Sequence, residues 1–199
     1  MELRPLHQKE STTAKKIVPL LIGFFIIAVM VLSVLEFGNQ GNEETIKYNG
    51  HKFTKVNDRW VTYVNNNKIA LLYNPKDIED VNANADYSSL LMSTKTYFSF
   101  DQSQPALFLP ANELMLNKNI LGITSQMILA CPSDNEACEA KTLPIKTCDD
   151  TSASTGIILL ETANETSMSF KNNCLKFQGT QEGINRLLTR LVLKRLGIV

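Results

Sequence analysis

Histidine is nearly missing from this 199-residue chain, which has two, His7 and His51. A serine or cysteine hydrolase with a histidine base would have to use one of them. His51 adjoins Asn49-Gly50, a turn signal, where an exposed structural position is the expected role. No Gly-x-Ser-x-Gly, His-Glu-x-x-His, Gly-x-Gly-x-x-Gly or Gly-x-x-x-x-Gly-Lys-Ser/Thr run occurs, and the nine glycines are scattered. The motifs of a nucleophile elbow, a zinc protease and a phosphate-cradling loop are therefore lacking. Net charge is missing too, since 20 Lys+Arg balance 20 Asp+Glu. A chain without a basic excess cannot supply many phosphate contacts, so nucleic acid is not an expected partner. Internal repeats and low-complexity segments are also lacking.

What is present begins with Ile17 to Leu35, IVPLLIGFFIIAVMVLSVL, nineteen residues without a charge. At about 1.5 Å rise per residue this run reaches roughly 29 Å, close to the roughly 30 Å hydrocarbon core of a bilayer. It reads as a single-pass signal anchor that contacts the lipid bilayer through residues 17–35. Arg4, Lys9, Lys15 and Lys16 precede it, whereas the following flank carries Glu36, Glu43 and Glu44 with no base before Lys47. Positive charge stays in the cytoplasm. Residues 1–16 are therefore expected as a cytoplasmic tail, 36–44 as a short Gly/Asn/Glu spacer, and the remainder as extracytoplasmic. A cleaved signal peptide is the alternative, but the run is longer than a usual apolar region and Ser33-Val34-Leu35 is a poor cleavage site. No cysteine follows closely enough for a lipoprotein. A pilin-type acid is lacking between Leu20 and Phe25.

The four cysteines, Cys131, Cys138, Cys148 and Cys174, all lie beyond the apolar run. An even count confined to the exported part predicts two disulfides. Four cysteines allow three pairings, of which Cys131–Cys138 and Cys148–Cys174 is favoured. A zinc site does not fit: there is no CxxC and no nearby histidine. A redox-active pair is commonly CxxC as well. No metal or cofactor is expected.

The exported part reads as α+β. Over 45–81, TIKYN, HKFTKV, RWVTYV and KIALLY are β-branched and aromatic runs separated by Asn49-Gly50, Asn57-Asp58 and Asn65-Asn66-Asn67. These predict an antiparallel meander with Trp60 and Tyr63 on its buried or half-buried faces. Pro75 starts a short helix with acids in its first turn. The polar stretch 82–89 is the expected boundary, if two domains are present. Over 90–199 the pattern is β-α-β-β-β-α. Strands are expected at 95–101, 124–131, 155–161 and 167–178, the last around an Asn-Asn interruption. A helix begins near Pro110 or slightly earlier, with apolar Leu107, Leu109, Leu114, Leu116 and Ile120. A helical turn is expected near Cys138, and a final helix spans 180–196 with Thr180 as N-cap. That last helix has an apolar stripe of Ile184, Leu187, Leu188, Leu191 and Leu196, with Arg186, Arg190 and Lys194 on the other side.

Carboxylates cluster at Asp77, Glu79 and Asp80 and at Asp149-Asp150. On a turn or a helix start they are expected to cap or to stay solvated, not to form a glycosidase pair or a calcium site. The basic face Arg186, Arg190, Lys194 and Arg195 is either a solvated helix face or a contact for anionic headgroups or an acidic partner. The apolar end Leu196 to Val199 suits the core or a partner. Asn164-Glu165-Thr166 is a glycosylation sequon between two strands.

The runs ILAC, CEAKTLPIKTC, TGIILLE, NNCLKFQG and NRLLTRLVLKRLGIV, with the meander YNGHKFTKVNDRWVTYVNNNKIALLYNP, resemble a set of uncharacterised single-pass exported membrane proteins from archaea. The resemblance rests on the cysteine placement and the Leu-rich C-terminal helix, and covers nearly all of the chain past the anchor. It implies the anchor and the disulfides but no activity and no site residues. The sequence points to a membrane-anchored extracytoplasmic binding or structural domain, an accessory component of a membrane or cell-surface assembly. An exported enzyme or thiol–disulfide redox protein acting near the membrane is the alternative.

Overall fold

The computed structural model describes residues 22–32 and 44–199. Two units are distinct, Met1–Glu43 and Glu44–Val199. In the first, residues 22–32 are helical (α1), with exposed side chains such as Phe24 and Met30. Among the described residues no helix is long and apolar enough to cross a membrane. Residues 17–21 and 33–35 of the expected anchor, the tail 1–16 and the spacer up to residue 43 lie outside the described residues.

The second unit opens with a four-stranded antiparallel meander: β1 Thr45–Tyr48, β2 His51–Val56, β3 Arg59–Val64 and β4 Asn67–Leu71. Asparagines set its turns. Asn49, Asn57, Asn65 and Asn66 all take positive φ, from 43° to 63°, the left-handed region that Asn tolerates and that tight hairpins require. Trp60 is buried, but Tyr63 is 65% exposed. The expectation that both rings lie on covered faces fails for Tyr63 because strand side chains alternate. Positions 60 and 63 differ by an odd number and point to opposite faces. Asn74 then caps the 3-10 turn Pro75–Ile78, accepting from the Lys76 and Asp77 amides at 2.8 and 3.2 Å.

The rest builds a five-stranded mixed sheet in the order β6-β5-β7-β9-β8. Its strands are β5 Lys95–Phe100, β6 Gln126–Ala130, β7 Thr155–Thr162, β8 Ser167–Lys171 and β9 Cys174–Gly179. β6, β5, β7 and β9 are parallel, and β8 is antiparallel to β9. Residues 167–178, expected as one strand, are thus a hairpin. Asn172 and Asn173 have φ 48° and 64°, and two consecutive left-handed residues reverse the chain. Four helices accompany this sheet: α2 Ser88–Leu91, α3 Phe108–Asn117, α4 Glu136–Glu139 and α5 Gln181–Arg195. α2 begins at the end of the stretch expected as a polar loop, 82–89. Leu90 seats it on β7 at Gly156, where a Cβ would lie 2.2 Å from Leu90 Cδ1.

Alternation along β5, β7 and β9 sends Phe98, Phe100, Ile158, Leu160, Leu175 and Phe177 to one face. There they join Leu114 of α3 and Ile184, Leu188 and Leu191 of α5. Phe53, Trp60, Ile69 and Leu71 of the meander belong to the same buried cluster, as do Ala83 and Tyr87 from the polar stretch 82–89. The meander and one face of the mixed sheet therefore share one core. On the opposite face Ile157, Leu159 and Cys174 pack with Tyr97 and Cys148. The segment after β6 crosses that face, and Ser99 Oγ donates to the Lys146 carbonyl at 2.7 Å.

Candidate binding surface

Both disulfides form, Cys131–Cys138 and Cys148–Cys174, with Cα separations of 6.3 and 5.4 Å. The first closes the loop that holds α4, where the Asn135 side chain accepts from the Cys138 amide at 3.0 Å. The second ties the turn Cys148–Asp150 to the first residue of β9. Cys131 and Cys138 are both 0% exposed and Cys174 is 2% exposed. Thiol–disulfide exchange needs an attacking thiolate to reach sulfur; both sulfurs of the first bridge lie in fully buried residues, whereas Cys148 of the second is partly exposed.

Of the carboxylates and bases singled out in the sequence, Asp150, Asp80, Arg186 and Lys194 are engaged locally. Asp150 accepts from the Thr147 amide at 2.8 Å and from Lys146 Nζ at 3.1 Å. These contacts, the backbone amide first, hold its carboxyl below the ordinary range. Arg186 donates to Asp80 at 2.6 Å and to the Asp77 carbonyl at 2.8 Å, and Lys194 donates to Asn84 at 2.5 Å. The basic side of α5 thus clasps the 77–84 loop. His51 sits half-buried in β2 opposite Tyr48. Among the described residues no group of three or more His, Cys, Asp or Glu is placed to hold a metal ion. Ile198 is buried and its carbonyl accepts from Asn49 Nδ2 at 2.8 Å, so the apolar C-terminal end enters the core. Asn164 of the sequon is exposed.

The surface that stands out is on α3, and the sequence analysis did not single it out. Its buried positions are Pro110, Ala111, Glu113, Leu114 and Asn117. Its outward face carries Phe108, Leu109, Met115 and Leu116, exposed by 45, 36, 41 and 62%. A surface helix normally turns its apolar stripe inward; α3 also turns one outward. Its inward carboxylate is held from the meander: Glu113, 4% exposed, takes both guanidinium arms of Arg59.

Beside this face lies the edge strand β6. Phe98, Phe100, Phe108, Ala111, Met115, Met127 and Leu129 line a groove of about 310 Å³ between helix and strand, with Asn112 the one strongly polar side chain. Phe108 meets Phe100 edge-on at 6.2 Å between centroids. The Cys131 amide donates to the Pro144 carbonyl at 3.0 Å, and its carbonyl accepts from the Lys146 amide at 2.7 Å. Strand alternation puts the backbone groups of Met127 and Leu129 on that same outer side. There no strand pairs with them among the described residues. The sheet's other edge, β8, presents Ser167, Ser169 and Lys171, residues that discourage pairing; β6, QMILA, has no charge.

No protein-family model matches the chain, and neither the curated proteins nor the solved structures include a match.

Proposed function

We propose that this chain is a membrane-anchored extracytoplasmic binding domain, an accessory component of a membrane or cell-surface assembly. Its anchor is the apolar run 17–35, with the amino terminus cytoplasmic and residues 36–199 outside. The charge step across the run and the confinement of both disulfides to the part beyond it support that placement. The observation that carries the binding role is the outward apolar face of α3 beside the open edge of β6. Four large side chains from one short helix, next to an apolar groove, form a contiguous patch of the kind that marks an interaction site. Placement of this chain among the archaeal exported proteins it resembles belongs to the same proposal.

The test is affinity isolation of the full chain from its own membranes in mild detergent, with protease shaving of intact cells alongside. Shaving is expected to remove residues beyond the anchor. A stoichiometric complex, lost when Leu116 is replaced by Glu, is expected for the binding role. A clean monomer in both forms would refute it.

A further inference from the structure

We infer that the occupant of the α3 face is a second copy of this chain, docked through the same face about a two-fold axis. The inference rests on the binding role proposed above and names its partner. The helix itself supplies the geometry. With 100° per residue, Phe108, Leu109, Asn112, Met115 and Leu116 fall within a stripe about 120° wide. Asn112 is its centre both around and along the axis: Phe108 and Leu109 lie one turn before it, Met115 and Leu116 one turn after. When two such helices cross about a two-fold axis in antiparallel sense, Asn112 meets Asn112 of the copy. Phe108 and Leu109 then meet Met115 and Leu116 of the copy. That is an isologous contact, in which each patch is its own complement.

The chemistry favours a copy over an unrelated partner. The stripe has no charge, so two copies oppose no like charges, and the chain as a whole is neutral at 20 Lys+Arg to 20 Asp+Glu. The one polar group in the stripe is an exposed amide. An amide both donates and accepts, so it pairs with itself, and a single Asn within an apolar helix seam is a known device for fixing register. The half-exposed Leu129 flanks the stripe from β6.

The test uses the full chain in detergent micelles, with mass followed by light scattering as protein is diluted. Wild type is expected to be dimeric. Asn112→Asp and Asn112→Lys are each expected to weaken the dimer at least about tenfold, because each sets like charges face to face. Mixing the two variants is expected to restore a one-to-one heterodimer. Asn112 is exposed, so both variants should fold; unchanged thermal unfolding checks this, and Leu116→Gln offers a second, uncharged disruption. Wild type that stays monomeric overturns the inference, as does a dimer that neither charge variant weakens, which would place the contact elsewhere. A wild-type monomer that still isolates a different stoichiometric protein, lost in Asn112→Asp, overturns self-pairing and keeps the binding role. A monomer with no partner removes both.

Discussion

Arg59 on β3 and Glu113 on α3 are fifty-four residues apart in sequence and grip each other with two parallel hydrogen bonds, Nη1 to Oε2 at 3.1 Å and Nη2 to Oε1. The pair joins the meander to the helix that covers the mixed sheet. Glu113 keeps 5% of its side-chain surface and Arg59 32%. The guanidinium is accordingly held above its ordinary pKa, chiefly by this hydrogen bond, against burial, which acts the other way. Removing Arg59 strands a carboxylate in the core. Arg59→Ala is expected to destabilise the fold by about 3 kcal/mol, the low end for breaking a buried pair because one partner is partly solvated. Urea unfolding of Arg59→Ala, Glu113→Ala and the double variant checks it. If the pair is the cause, the double variant loses much less than the sum of the singles.

The two disulfides should contribute unequally. Cys148 and Cys174 are 26 residues apart and Cys131 and Cys138 are 7 apart. Chain-entropy estimates give roughly 3.5 kcal/mol for the longer closure and about 2.4 for the shorter. Replacing Cys148 and Cys174 together by Ala should lower the urea midpoint more than replacing Cys131 and Cys138. Labelling of the native protein should find no reactive thiol, and reduction of Cys131–Cys138 should require denaturant, since both residues are 0% exposed.

Asp101, just past the end of β5, should set part of the acid sensitivity. Its Oδ1 accepts from Ser103 Oγ at 2.7 Å, the Ser103 amide at 2.9 Å and Asn135 Nδ2 at 3.0 Å, and its Oδ2 from Gln104 Nε2 at 3.1 Å. These bonds favour the charged form and lower its pKa from the ordinary 3.8, with the Ser103 hydroxyl first among the causes. A carboxyl with a depressed folded pKa contributes stability above its unfolded value and loses it as pH falls through the folded one. The stability gap between wild type and Asp101→Asn should therefore be constant near neutrality. It should shrink as pH drops below about 4. A gap that stays flat into strong acid would contradict this assignment.

Which parts of this fold the sequence predicted follows from how local their causes are. The Asn turns of the meander and the Thr180 cap, which accepts from the Gly183 amide at 3.1 Å, are decided by a few neighbouring residues and were readable. The Asn172-Asn173 hairpin rests on the same chemistry but reads as an interruption, because apolar alternation resumes directly after it, Met168 and Phe170 being followed by Leu175 and Phe177. The α3 face was not readable. Leu107 and Leu114 are seven apart and share one side, and Leu109 and Leu116, two residues further on, share another. Five apolar positions in sequence order look like one stripe. On the inward side Glu113 pairs with Arg59, which lies more than fifty residues away. Asn173 was equally hidden: its amide bridges Ser93 Oγ at 2.9 Å and the Ser152 carbonyl at 3.0 Å, partners from two distant loops.

Gly183 offers a case where two effects oppose each other. It is the third residue of α5, and Gly→Ala inside a helix ordinarily stabilises by about 0.5–1 kcal/mol. Here a Cβ would sit 1.9 Å from Thr166 Oγ1 and 2.9 Å from both Thr166 Cβ and Cγ2. Thr166 is β-branched and follows the turn leading into β8, and a Cβ at Gly179 would also crowd its backbone Cα, at 3.0 Å. It has little room to withdraw, so overpacking of about 1–3 kcal/mol should exceed the helix gain. Gly183→Ala is expected to be destabilising, and Thr166→Gly in the same chain should recover most of the loss by removing every clashing side-chain atom. A stabilised Gly183→Ala single variant would mean that the β7–β8 turn yields and that helix propensity decides.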